Sequence, residues 1–146
     1  MVDGKYIVNV SRSPFTPRAG APTNFLISIA DVSSGNVLTR DPVMHIRIAR
    51  LENPGAEPQF ISEERDLKAE RSILGYSYTF ADSGFYELYI DFAFADDLTT
   101  VLQAPDFLFD VQPSEMTEVE MGTAYALWVL GGAVAGFALT RLLTKK

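Results

Sequence analysis

The side chains able to do chemistry are few. The chain has one histidine, His45, no cysteine, and, besides Met1, the methionines Met44, Met116 and Met121. Handling a soft metal such as copper requires several imidazole or thioether groups that converge. His45 and Met44 are the copper candidates in this stock. As neighbours on a strand they point to opposite faces, so they cannot share one ion without a bulge. Asp91, Asp96, Asp97, Asp106 and Asp110 offer oxygens to a calcium ion, at spacings that match no EF-hand loop. A lone histidine without cysteine leaves no nucleophile and base pair, and the chain carries no G-x-S-x-G, phosphate-binding loop or dinucleotide fingerprint. The absence of cysteine also removes disulfides, thiolate zinc sites and iron–sulfur clusters. The expectation is a non-catalytic protein with no cofactor and no resident metal. Asn9-Val-Ser11 is a glycosylation sequon by pattern.

Charge narrows the partners. A net charge of -7, with the basic residues scattered among acids, argues against nucleic acid, whose phosphates need a basic footprint. The hydrophobic fraction of 47% is enough for one ordinary domain core.

The C-terminal residues 121–146 contain an uncharged apolar run, Met121 to Thr140, followed by Arg141, Lys145 and Lys146. About 20 residues at roughly 1.5 Å each span roughly 30 Å, the thickness of a bilayer's hydrocarbon core. The run is expected to be a single transmembrane helix with a basic tail, preceded by an acidic juxtamembrane linker over residues 113–120. Residues three and four apart share a helix face, so Ala124, Trp128, Gly132 and Gly136 form a small-residue line suited to packing against another helix. Tyr125 at the front, and Arg141, Lys145 and Lys146 at the back, serve as interface anchors. The positive-inside bias places the tail in the cytoplasm and the N-terminal domain outside the membrane. Residues 1–10 lack the pattern of a signal peptide, so the expectation is either a removed signal or a tail-anchored protein with a cytoplasmic domain.

Residues 1–112 read as short strands between turns. Phe25, Ile27 and Ile29 alternate with outward residues, as do Met44, Ile46 and Ile48. Leu74 to Phe80 and Tyr86 to Phe94 repeat the pattern around the turn Ala81-Asp-Ser-Gly84. With Tyr6 to Val10 and Phe107 to Val111 this makes six strands, and a seventh is expected near Val37 or Phe60. The mixed-charge run Ile61 to Arg71 has no apolar rhythm and reads as a solvated loop. About seven short strands, each with one apolar face, are best buried as two facing sheets, giving an all-β, immunoglobulin-like β-sandwich followed by the C-terminal helix. The pattern D-x-G-x-Y at Asp82, Gly84 and Tyr86 is that of a tyrosine corner.

Gly4-Lys-Tyr6-Ile-Val8, Pro14-Phe-Thr-Pro-Arg-Ala-Gly20, Asp41-Pro-Val-Met-His45 and Gly84-Phe-Tyr86 together resemble the YtkA-like and FixH-like extracytoplasmic domains, over most of residues 4 to 112. The resemblance implies an immunoglobulin-like sandwich tied to a membrane by one helix, and a link in some relatives to copper handling and cytochrome oxidase assembly. The expected function is that of an accessory or structural subunit of a larger integral membrane complex, contacting the lipid bilayer and other membrane subunits. The alternatives are a copper-handling or oxidase-assembly factor and a free-standing binding or adhesion module.

Overall fold

The alternation in the sequence becomes two sheets whose apolar faces meet. A computed structural model describes residues 1–115, and the chain divides into one unit over Met1–Ser114 and a second over Glu115–Lys146. The first contains eight strands: β1 Tyr6–Ser13, β2 Pro22–Asp31, β3 Pro42–Leu51, β4 Gln59–Lys68, β5 Ile73–Thr79, β6 Gly84–Phe94, β7 Asp97–Gln103 and β8 Phe107–Val111. One sheet has the order β1-β2-β5. The other runs β4-β3-β6-β7, with β8 also paired to β6, and every pairing is antiparallel.

β6 organises the larger sheet. It pairs with β3 from Phe85 to Phe94 along one side. Along the other it pairs first with β8, from Gly84 to Leu88, and then with β7, from Asp91 to Phe94. The turn at Ala81-Asp-Ser-Gly84 therefore makes no hairpin. It carries the chain across from β5 in the smaller sheet to β6 in the larger one. At the end of β8, the Gln112 N–H donates to the Pro17 carbonyl at 2.9 Å, and the Ala19 N–H donates to the Gln112 carbonyl at 2.9 Å. This grouping, three strands facing five, is an immunoglobulin-like sandwich.

The core is where the periodicity puts it. Ile27 and Ile29 from β2, Ile46 and Ile48 from β3, and Leu88 and Ile90 from β6 are all buried. Each is worth about 1.5–3 kcal/mol relative to exposure. An aromatic cluster closes one end of the core, where the Phe80 ring packs tilted against Tyr86 at 4.7 Å and edge-on against Phe109 at 5.5 Å.

Two expectations need correction. Most of the run 61–71 is not a loop, because Gln59–Lys68 form strand β4, which pairs with β3, and only its residues 69–71 fall in the connection to β5. Among the described residues there are eight strands, with β7 the unforeseen member. Phe60 lies in β4, whereas Val37 makes only a single bridge, to Ala30. The proposed transmembrane helix, its packing face Ala124, Trp128, Gly132 and Gly136, and the anchors Tyr125, Arg141, Lys145 and Lys146 lie outside the described residues. So do Met116 and Met121.

Candidate functional site

Strand register brings together on the outer face of the larger sheet residues that are distant in sequence. β3 and β6 set His45 opposite Asp91 and Arg47 opposite Tyr89, while β4 sets Glu63 opposite Arg47. Ile46 pairs with Glu64 and Met44 with Leu67, so the two residues Arg65 and Asp66 oppose the single residue His45. This is a β-bulge, and Asp66 takes a positive φ of 57° to make it.

The result is a chain of polar contacts that meets at His45. Its Nε2 lies 2.9 Å from Glu63 Oε1 and its Nδ1 lies 3.5 Å from Asp91 Oδ2. Arg65 Nε donates to Glu63 Oε1 at 2.8 Å, and Arg47 Nη2 donates to Asp91 Oδ2 at 3.0 Å. Asp91 is the most enclosed member, its side chain 12% exposed. The Arg47 guanidinium lies over the rings of Phe60 and Tyr89, 5.1 and 5.6 Å from their centroids, so the cation rests on an aromatic pair. Its Nε is buried without a hydrogen-bond partner among the described residues.

Local chemistry follows from these contacts. The Arg65 guanidinium, with a smaller contribution from His45, holds the Glu63 carboxyl below the usual glutamate range. Burial, reinforced by Glu87 and Asp91, pushes the Asp106 carboxyl up. Burial and then the hydrogen bond to Glu87 push the Tyr89 phenol up to about 12. Beside His45 lies an open groove of about 510 Å³, lined on its apolar side by Val43, Ala93, Leu98 and Val101 and rimmed by Arg65 and Lys68. Leu98 and Val101 are 59% and 60% exposed.

The residues singled out from sequence fall in different places. Met44 is fully buried inside the sandwich, while His45 is on the outer face with each ring nitrogen directed at a carboxylate. The two do not meet at one point. Among the described residues no group of three His, Cys, Asp or Glu side chains has the arrangement to hold a metal ion. The aspartates are also dispersed: Asp96 pairs with Arg40, Asp97 caps Thr99, Asp110 accepts from Gln112 and Asp91 binds Arg47. At the crossing between sheets, the Tyr86 hydroxyl donates to the Asp82 carbonyl at 2.9 Å, with Gly84 at φ 139° between them. Arg50 braces the same turn through Asp82 Oδ2 at 3.0 Å and the Ser83 carbonyl at 3.3 Å. Sequence reasoning did not single out Arg47, Glu63 or Arg65. Their convergence depends on the register of β4, which has no apolar pattern to announce it.

These features define an immunoglobulin-like β-sandwich with a charged and aromatic outer sheet face. No protein-family model and no curated protein sequence matches the chain, so the YtkA-like and FixH-like resemblance rests on the quoted motifs. Among solved structures the chain is similar to the PmoD soluble domain from Methylocystis sp. ATCC 49242 (Rockwell), at 14% identity over 73% of this chain and 90% of that one, with a TM-score of 0.42. It is also similar to a superoxide reductase (neelaredoxin) from Ignicoccus hospitalis, at 12% identity over 76% and 82%, with a TM-score of 0.43.

Proposed function

We propose that the protein is a non-catalytic binding module, held to a membrane by its C-terminal segment and serving as an accessory subunit of a larger integral membrane complex. The supporting observation is the outer face of the larger sheet. There Arg65 pairs with Glu63 and Arg47 with Asp91, with His45 between the two carboxylates, beside an apolar groove with exposed Leu98 and Val101. Groups held in mutual ion pairs give a pre-organised surface for recognition, since little side-chain entropy remains to be lost on contact. The same engagement leaves no free base beside a nucleophile. The uncharged run at residues 121–140 supports the membrane attachment.

The test is native purification of the full chain with mass spectrometry of what travels with it, before and after Gly132→Leu with Gly136→Leu. The expected result is co-migration with larger membrane proteins, and loss of that association in the double variant while it stays in the membrane after carbonate washing. A chain that carbonate strips from the membrane, or that migrates alone in mild detergent, overturns the reading. Stoichiometric Cu(I) binding abolished by His45→Ala would favour the copper-handling alternative instead.

A further inference from the structure

At one end of the sandwich the chain leaves its last strand, and backbone hydrogen bonds fix what lies beside that point. Gln112, directly after β8, donates to the Pro17 carbonyl and accepts from the Ala19 N–H, both at 2.9 Å. The connection between β1 and β2, residues 14–21, therefore stands next to the exit of the chain. Eight residues, 113–120, separate this point from the uncharged run that begins at Met121. Fully extended they reach at most about 30 Å, so whatever holds the run also keeps this end of the domain close to it.

The β1–β2 connection exposes Phe15, which at 81% is the most exposed large apolar side chain among the described residues. A lone exposed apolar residue is ordinary on a surface that meets only water. Phe15 differs in being held out. The Arg12 Nε donates to the Phe15 carbonyl at 2.7 Å, and the Arg12 guanidinium lies 5.1 Å from the Phe15 ring centroid and 5.4 Å from that of Phe109 in β8. One cation thus ties the tip to the strand from which the chain exits, and little freedom remains to be lost when the ring makes a contact. From Ser13 to Pro17 no side chain is charged, so no ion need be dehydrated for the tip to enter a less polar medium. Arg12 stands behind the ring, as a long cationic side chain does when its apolar neighbours lie deeper in a membrane interface.

We propose that Phe15 seats in the boundary between headgroups and acyl chains of the same bilayer that holds the C-terminal run, giving the sandwich its own contact with lipid beside the anchor. The inference rests on the membrane attachment proposed above. One phenylalanine is too small to bring a free domain to a membrane, since even a myristoyl chain gives only marginal binding. Behind a short linker the encounter is intramolecular, with an effective concentration on the order of millimolar, and a weak contact is then enough. Its origin is apolar. Glu115, Glu118 and Glu120 follow the exit in sequence and disfavour anionic headgroups, so the contact should form on zwitterionic lipid.

The absence of native cysteine allows a site-specific probe. The full chain is prepared as two single-cysteine variants at exposed positions, Thr16→Cys beside Phe15 and Thr99→Cys on β7, which pairs with the opposite end of β6. Each carries a nitroxide spin label and is reconstituted into phosphatidylcholine vesicles that hold no other protein. The readout is the ratio of collisions with oxygen, which concentrates in hydrocarbon, to collisions with a water-soluble nickel chelate. The expected ratio is roughly fivefold higher for Thr16→Cys than for Thr99→Cys, as burial at the acyl boundary requires. Adding Phe15→Ser to the Thr16→Cys chain should bring the ratio down to the Thr99→Cys value, whereas adding Phe15→Trp should keep it high; an unchanged urea midpoint verifies that the fold survives. Equal ratios at the two positions, or a high ratio indifferent to Phe15→Ser, overturn the proposal, and a ring that docks on a protein subunit instead of lipid gives the first of these. Carbonate washing of the same vesicles separates the two readings: a retained chain with equal ratios sinks the Phe15 contact alone, and a stripped chain sinks both.

Discussion

Tyr86→Phe removes one oxygen atom and, with it, the hydrogen bond that ties the sheet crossing to β6. The Tyr86 side chain is buried between Phe80 and Phe109, at centroid distances of 4.7 and 6.3 Å, and phenylalanine keeps those contacts. What is lost is the 2.9 Å bond from the hydroxyl to the Asp82 carbonyl. A typical intramolecular hydrogen bond contributes about 0.5–1.5 kcal/mol net, and an acceptor left buried and unpaired costs more. The loss should be about 1 kcal/mol. In a domain of this size that lowers Tm by about 4 °C. Tyr86→Ala also empties the space between the rings and should cost about 3–5 kcal/mol. Urea unfolding of the two variants beside the parent, with m unchanged, separates the terms. If Tyr86→Phe matches the parent while Tyr86→Ala is severe, the hydroxyl contributes nothing and Tyr86 is one more core aromatic.

Two further substitutions probe the outer face of the larger sheet. Asp91→Ala leaves Arg47 and His45 without their shared carboxylate, and should lower stability by about 2 kcal/mol, most of it regained when Arg47→Met is added; the measurement is a double-mutant cycle in urea. Asp106 is held above the ordinary aspartate range by burial, then by Glu87. The folded state therefore binds this proton more tightly than the unfolded chain. Its stabilising effect is complete below about pH 4, the unfolded value, and is lost as pH rises through the higher folded value. Asp106→Asn should accordingly raise stability at pH 7 relative to the parent, with the difference narrowing toward pH 4; a constant difference across pH would show that Asp106 titrates as it does when unfolded.

Much of the sandwich was legible because half-buried strands reveal themselves by alternation. Phe25, Ile27 and Ile29 read as one face, and so did Tyr86 through Phe94, since each strand lies against the opposite sheet. β7, and β4 beyond Phe60, were illegible for one physical reason. Both flank the sheet and are held by backbone hydrogen bonds, and their side chains, such as Glu63, Arg65, Thr99 and Val101, face water and need no apolar rhythm. The bulge at Arg65 and Asp66 breaks what period remained. The site inherits the same limit. His45 was visible as a lone candidate, but its neighbours Glu63 and Asp91 become neighbours only once the register of three strands is fixed. The paired crossing at Asp82 and Tyr86 was readable because a turn signature is local and depends on no distant strand.

The position of β6 also governs how the chain is made. β3 is complete at residue 51, and its main pairing partner begins only at residue 84. A nascent chain emerging from the ribosome therefore holds β3 against β4 alone, with one flank bare, until more than thirty further residues have been synthesised. Pairings that must wait across such a separation fold slowly, and they leave strand edges open to wrong partners in the interval. The charged side chains of β4 discourage pairing along its own outer edge, so the exposed side of the half-built sheet is the flank of β3 that β6 later covers.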